Sequence, residues 1–399
     1  MPPPPPPLDG VRIIAVEQYG AGPWATMMLA DLGAEIIKVE PPGGDGDIGR
    51  AVPPYAIPGD SVFFQSFNRT KKSITLNLQH ERGQEALHRL VQVSDGVFNN
   101  LRGDLPSRLG MDYESLRVIK PSIVCCSLSA YGRTGPRAAE PGYDYVMQGY
   151  AGWMSLTGEP GTPPQKSGLS LVDLSAGVMA SLGMVAAILR ARMTGAGGDV
   201  DVSLFDAAIA QLCYPAAWHL TMGYEPLRTP DSSHPSMIPS QVLPTQDGYM
   251  VVMCAKEEFY RRLVTTMGAP ELACDARFSS YAQRLKHREK LVPLLKDLSR
   301  QRPTAEWLDL LRGQIPCGPV NTVPQALLDP QVEQDDMILA LEHPDFPTLR
   351  VPGAPIKFSG EQVQPHRGPR MGEHTDEVLG GLAGYSSEEI AELRASGAV

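Results

Sequence analysis

Asp173 is the first side chain to weigh for chemistry. It stands alone between a short apolar alternation at 169–172 (LSLV) and an uncharged run at 174–189 that mixes Gly, Ala and Met with larger apolar groups. A strand turning into a buried helix would put this carboxylate at the junction. Two roles fit such a position. One is an N-cap, where the helix dipole favours negative charge. The other is a nucleophile, because a carboxylate converted to an anhydride or a thioester remains an activated acyl group. An ordinary Asp is ionised at neutral pH, so the attack would need no general base. The sequence offers no persuasive Ser/His/Asp set and no metal-ligand cluster.

Other residues carry weaker signals. Lys71 and Lys72 precede an alternating stretch and suit either a solvated turn or point-charge contacts to phosphate. Gly20-Ala21-Gly22-Pro23-Trp24-Ala25 matches G-x-G-x-x-A, and Glu40 follows at the spacing of a dinucleotide fingerprint. Pro23 stiffens that turn, so another adenine nucleotide fits as well and no nicotinamide is expected. Asp144 suits either a helix-start carboxylate or a group orienting a thiolate or water. His219 and His234 flank a Pro- and Ser-rich loop at 224–239 and are candidate substrate contacts.

The elements that must position these residues begin with a strand at 12–17, a glycine turn at 18–23, a helix at 24–33 and a strand at 34–40. This βαβ unit predicts a parallel, doubly wound sheet. Further strands are expected at 96–99, 122–127 and 199–203, and helices at 80–94, 143–153 and 204–223. A hairpin at 241–254, turning at Asp247-Gly248, and helical patterns at 256–267, 281–300 and 304–312 suggest a smaller α/β block. The expected division is a disordered Pro tail at 1–7, a large domain at 8–205, a linker helix and loop at 206–228, a small domain at 229–325, and a return segment at 326–399 that completes the large domain.

Composition sets outer limits. A net charge of −10 argues against a nucleic-acid partner. Six Cys without a C-x-x-C pair suggest reduced thiols and a cytoplasmic location. The Pro-rich start has neither the basic nor the apolar region of a secretory signal. The uncharged run at 174–189 is too short to cross a bilayer comfortably, so no membrane partner is expected.

Nine strings in order resemble the class III CoA-transferases, the family of formyl-CoA:oxalate and carnitine CoA-transferases. They include LDGVRIIAVE, AGPWATMMLADLGAEIIKVEPPGGD, FNRTKKSITLNL, SAYGRTGP, GYDYVMQ, LVDLSAG, IPCGPVNTV and VPGAPIKFSG, and end with GEHTDEVLGGLAGYSSEEIAELRASGAV. The resemblance implies a Rossmann-like large domain with a parallel sheet, a smaller α/β domain, and an interlocked homodimer. It implies Asp173 as nucleophile and coenzyme A, as acyl-CoA co-substrate, with no metal. It places CoA contacts at Gly20, Ala21, Leu76, Asn77, Leu78, Gln79, Asn100, Leu101, Arg102, Arg108, Tyr143 and Asp144. Pro41 and Pro141 stand where some members carry Arg and Lys, so Lys71, Lys72 and Arg102 are expected to share the phosphate contacts. Gly168 is expected near the substrate, together with His219 and His234. The KSGLSLVD form resembles the branch that takes dicarboxylic acids, often with succinyl-CoA as donor. An α-methylacyl-CoA racemase of the same fold is the nearest alternative, but those resemble a pattern with His where this chain has Tyr143. A non-catalytic CoA-binding protein is the other alternative.

Overall fold

The computed structural model describes residues 3–399. Six strands form one sheet: β1 (Arg12–Val16), β2 (Glu35–Glu40), β3 (Lys72–Thr75), β4 (Gly96–Asn99), β5 (Val124–Ser129) and β6 (Gly198–Ser203). Their order is β3-β2-β1-β4-β5-β6, and every pair is parallel. The central strands β1, β4 and β5 are short and largely buried because both faces are covered, while edge strand β6 alternates with exposed Asp199 and Asp201. The order reverses between β1 and β4, which opens a crevice at their carboxyl ends.

Helix α1 (Ala21–Asp31) follows β1, α2 (Glu81–Gln92) leads to β4, α3 (Asp144–Tyr150) follows β5, and α4 (Leu171–Thr194) leads to β6. Small residues let α4 approach α1 closely. A Cβ on Gly177 would stand 2.9 Å from the Ala21 carbonyl oxygen, and the Ser181 hydroxyl donates to the Ala25 carbonyl at 2.9 Å. The same helix rests on the sheet: a Cβ on Gly96 would collide with the Met184 methyl.

The chain divides into two compact units, Met1–Ala151 with Ser167–Cys213 and Glu333–Val399, and Gly152–Lys166 with Tyr214–Val332. The expected division has 152–166 in the large domain and 206–228 as a linker. Here 152–166 packs with the second unit, and the long helix expected at 204–223 breaks into Leu204–Ala210 and Cys213–Met222. Cys213, at φ 42°, is left-handed and cannot continue a helix, and the division falls beside it. The second unit contains the expected hairpin, β7 (Ser240–Pro244) and β8 (Tyr249–Met253), with β9 (Cys317–Pro319) added antiparallel.

Three other expectations are corrected. Residues 3–7 are not a disordered tail: the Pro4 carbonyl accepts the Glu361 N–H at 2.9 Å, and Pro6 is half-buried against Gly33. Residues 1 and 2 lie outside the described chain. No strand forms at 169–172, because α4 already starts at Leu171; four alternating residues fit either template, and a carboxylate described below receives the N–H groups that only a helix start leaves unpaired. Helix α1 starts three residues before the expected position, since Pro23 is tolerated in a first turn. Helix α4 is also longer than the uncharged run and passes length and hydropathy criteria for a membrane span, yet half of its most apolar window is buried within the protein, as in a core helix.

Beneath the crevice lies a buried charge network. Glu40 receives the Arg50 guanidinium at 2.7 and 2.8 Å and the Ser73 hydroxyl at 2.6 Å. Burial pushes its carboxyl up, but the Arg50 bond and the Lys38 charge outweigh that and hold it at about 2 against an ordinary 4.5. A depressed carboxyl stabilises the fold above its unfolded value and loses that contribution as the pH falls through the folded one. Acid unfolding should therefore steepen between about pH 4.5 and about 2. Chemical denaturation of Glu40→Gln should give a flatter stability-against-pH curve in that window, by on the order of 3 kcal/mol.

Candidate active site

A cavity of about 350 Å³ opens at the carboxyl ends of β1, β4 and β5, where the sheet reverses its order. Its size suits a small molecule or one end of a larger one. Tyr19 and Gly20 line it from the turn after β1 and Ala21 from the start of α1, Asn100, Leu101 and Arg102 from the turn after β4, and Leu128 and Ser129 from the end of β5 with Ala130 just beyond it. Asp173 is the carboxylate at its base, only 6% exposed.

Asp173 is not an N-cap. It is the third residue of α4, whose cap Ser170 makes no side-chain cap bond. The capping is done by Asp144, at the start of α3: its Oδ2 accepts the N–H of Val172 at 2.7 Å and of Asp173 at 3.0 Å. Gln148 fixes Asp144 in turn, donating to Oδ1 at 2.6 Å while its own Oε1 accepts the Ser167 N–H at 2.9 Å. The next amide, Leu174, is bonded to the Ser170 carbonyl at 3.0 Å. The helix-start N–H groups around Asp173 are therefore taken and are not free oxyanion donors.

Two physical effects act on the Asp173 carboxyl. Burial penalises its charge, and the Asp144 carboxylate repels it; together they push it up to about 7. The Tyr19 phenol is raised as well, by burial and then by the Asp173 charge. Tyr19 and Tyr143 meet edge to face with centroids 5.7 Å apart, forming one wall.

Gly20 keeps the carboxylate accessible. A Cβ at this position would lie 3.3 Å from Asp173 Oδ2. Its φ of −114° is open to any residue, so what matters here is space and not backbone freedom. Gly20→Ala should fold with an unchanged melting temperature and lose turnover by about tenfold, because a displaced reacting group is costly. Steady-state kinetics beside a thermal melt would check this.

The structure brings together only part of the expected site. Gly20, Ala21, Asn100, Leu101, Arg102, Tyr143 and Asp173 share the cavity, with Asp144 behind it. Lys71 is buried and does not line the cavity: it donates to Glu17 at 2.7 Å and to the Pro23 carbonyl at 2.9 Å, and burial lowers it to about 8. Lys72 is paired with Glu35 and Glu377. Leu76, Asn77, Leu78 and Gln79 follow β3, the sheet edge two strands away from β1, and do not line the cavity. Arg108 is exposed and reaches Asp104, and Gly168 is exposed outside the cavity wall. His219 bonds the Tyr224 carbonyl, and His234 accepts the Ser236 and Met237 amides; both bond locally within the second unit. Among the described lining residues Arg102 is the one cation, held by Asp104 at 2.5 Å. Pro141 lines the cavity as well.

Glu40 settles the dinucleotide fingerprint. Its oxygens are consumed by Arg50, Ser73 and the Asp47 N–H, so it presents no acceptor to a ribose. Gly22 serves packing instead: a Cβ there would overlap Asn100 at 2.7 Å. The sequence reading missed Tyr19, Ser129, Ala130 and Glu140. The first sits inside the glycine turn, and the next two stand where a doubly wound sheet places its ligands.

Fold and cavity together describe a doubly wound α/β protein whose crevice is built around one buried carboxylate. The model of CoA-transferase family III matches residues 8–375, and the chain belongs to this family. It is 34% identical to a succinate–glutarate CoA-transferase of Agrobacterium fabrum, over 94% of this chain and 96% of that one. A human succinyl-CoA:glutarate CoA-transferase is 32% identical over 98% and 90%, and an acetyl-CoA:oxalate CoA-transferase of Acetobacter aceti 36% over 91% and 92%. A CAIB/BAIF family protein from Brucella suis superposes with a TM-score of 0.81 at 34% identity, covering 94% of this chain and 99% of that one. The protein is a class III CoA-transferase.

Proposed function

We propose that the protein transfers CoA from succinyl-CoA to a dicarboxylic acid, with Asp173 as the covalent relay. The observation that carries this reading is the Asp173 carboxylate at the base of the crevice, alongside Gly20 and with no base or metal ligand set needed beside it. Relatives named for succinate, glutarate and mesaconate support the substrate class. Asp173 attacks the donor thioester carbonyl; the C–S bond breaks, a mixed aspartyl anhydride forms, and CoA leaves as thiolate. The thiolate attacks the aspartyl carbonyl, giving aspartyl-CoA and the free donor acid. The acceptor carboxylate attacks that thioester to form a second anhydride, and the thiolate, attacking the acceptor carbonyl, completes the new thioester and releases Asp173. Gly20, Ala21, Asn100, Leu101 and Tyr143 form the wall against CoA, and Arg102 supplies positive charge toward a phosphate. The start of α1, which has no side-chain cap, adds a partial positive charge on the same side.

The active form in this reading is an interlocked homodimer. Val178, Met179, Leu182, Leu189 and Met193 make an exposed apolar stripe along α4, and the helix Cys213–Met222 has no buried residue. A second copy would cover surfaces of this kind. Light scattering should give twice the chain mass at micromolar concentration. A cytoplasmic location fits the six free cysteines.

The deciding experiment incubates the protein with succinyl-CoA, adds hydroxylamine or borohydride, and maps the modified peptide by mass. Modification should fall on the peptide containing Asp173. A productive donor that leaves this peptide unmodified would overturn the mechanism. A 2-methylacyl-CoA supplied in heavy water separates the racemase chemistry, which would deuterate the α-carbon without acid exchange.

A further inference from the structure

Behind the cavity wall, six charged side chains are sealed from water: Glu17, Glu40 and Asp47 against Lys38, Arg50 and Lys71, none more than 4% exposed. Burying so many charges stabilises a fold poorly compared with apolar packing. Their bonds converge on one short stretch of backbone. Lys38 Nζ donates to the Glu17 carbonyl at 2.9 Å and pairs with Asp47 Oδ2 at 2.8 Å. Asp47 Oδ1 accepts the Tyr19 N–H at 2.8 Å. Asp47 is itself anchored, its N–H on Glu40 Oε2 at 2.9 Å and its Oδ1 also accepting the Gly49 N–H at 2.8 Å. Asn100 holds the intervening residue, accepting the Gln18 N–H at 2.9 Å and donating to its carbonyl at 2.8 Å.

The residue so gripped is strained. Tyr19 has φ 70°, the left-handed region that a bulky residue rarely adopts. Such strain persists only where the surroundings over-determine it. The next residue is Gly20, whose Cα faces Asp173 Oδ2. A Tyr19 that relaxed to an ordinary backbone would swing both its ring and Gly20 with respect to the carboxylate.

We infer that Asp47, backed by Lys38, is a positioning residue for CoA transfer: it holds Tyr19 left-handed and so sets the gap between the Gly20 turn and Asp173. It touches no reacting atom. This rests on the reading of Asp173 as nucleophile. The relation is specific to geometry: Asp47 acts through one N–H, and the need for that N–H comes from the Tyr19 backbone.

A double-mutant cycle with Tyr19→Gly tests it. Glycine adopts the left-handed region without penalty, so it removes the need for Asp47. Asp47→Ala, which removes the acceptor that an Asn oxygen would keep for the Tyr19 N–H, should lower kcat in the native background by about ten- to a hundredfold, with the KM for acyl-CoA changed far less. Tyr19→Gly will lower kcat by itself through loss of the ring, but adding Asp47→Ala to it should cost less than about threefold further. Asp47→Glu keeps the charge toward Lys38 while displacing the acceptor, and should also lose kcat with little change in melting temperature. Equal losses from Asp47→Ala in both backgrounds, or an unchanged kcat, would overturn the proposal. So would failure of both Asp47 variants to fold, which would assign the cluster to stability alone. Peptide trapping on the unmodified protein keeps the two readings apart: label on Asp173 with an additive cycle sinks the positioning role only, and a coupled cycle without label sinks the nucleophile only.

Discussion

Asp173→Asn is expected to reduce CoA transfer by about 10⁴-fold or more while making the unliganded protein more stable above neutral pH. The two effects have opposite signs and one origin. In the unfolded chain the carboxyl ionises near 3.8, and in the folded protein only at about 7. A group whose folded value is raised contributes fully below the unfolded value and loses that contribution as the pH climbs to the folded one. Above about pH 7 the native protein holds a charge that burial and Asp144 both disfavour. Asn has no charge to disfavour and nearly the same shape. Its gain at pH 8 should be on the order of 4 kcal/mol, shrinking as the pH falls from about 7 and vanishing below about pH 4. Turnover assays paired with denaturant titrations at pH 4, 6 and 8 would read both. A variant that is inactive and less stable at pH 8 would mean that Asp173 is a structural carboxylate, and a variant retaining measurable turnover would remove it from the covalent pathway.

Asp173 stood out because a lone charge bounds a long apolar run, but that pattern fitted an N-cap as well, and only the family resemblance pointed to a nucleophile; a parallel sheet was legible because apolar strands alternate with helix-length segments separated by glycine. What surrounds the carboxylate was not legible. Lys71 and Lys72 are neighbours in sequence, yet one is buried against Glu17 and the other reaches Glu35 and Glu377. Which lysine turns inward depends on residues far along the chain. Asp47 looked like one more acid in a glycine-rich loop, and its role depends on Lys38 in the middle of a strand. The left-handed Tyr19 gave no local sign, since the glycines beside it would be the usual hosts of such a conformation. The start of α4 was misplaced for a related reason: the group that caps it, Asp144, comes from another helix. Local pattern shows where elements run, and pairs distant in sequence decide which polar groups face the crevice.

The pH profile gives the second large effect, and Asp144 makes it testable. For the free enzyme kcat/KM follows the ionisation of its essential groups, so it should rise with pH through about 7 as Asp173 ionises, falling tenfold per unit on the acid side. Asp144→Asn removes the repelling charge but leaves burial, the larger cause, in place. The acid limb should therefore move to lower pH without reaching the value of an exposed Asp. The substitution is not free of structural cost. The Asn oxygen can still accept the Val172 and Asp173 amides, but its NH₂ then faces the Gln148 amide donor, and Gln148 cannot turn over without losing the Ser167 N–H. A loss of about 1 kcal/mol in stability is expected from that conflict. The ratio of variant to native kcat/KM is the diagnostic, because a general loosening of the site lowers it equally at every pH. It should be larger at pH 6 than at pH 8. A ratio constant across that range would show that the Asp144 charge does not reach Asp173, and would leave Asp144 as a helix cap alone. A ratio that fell toward acid pH would mean that the reactive form of Asp173 is the protonated one, which the anhydride route forbids.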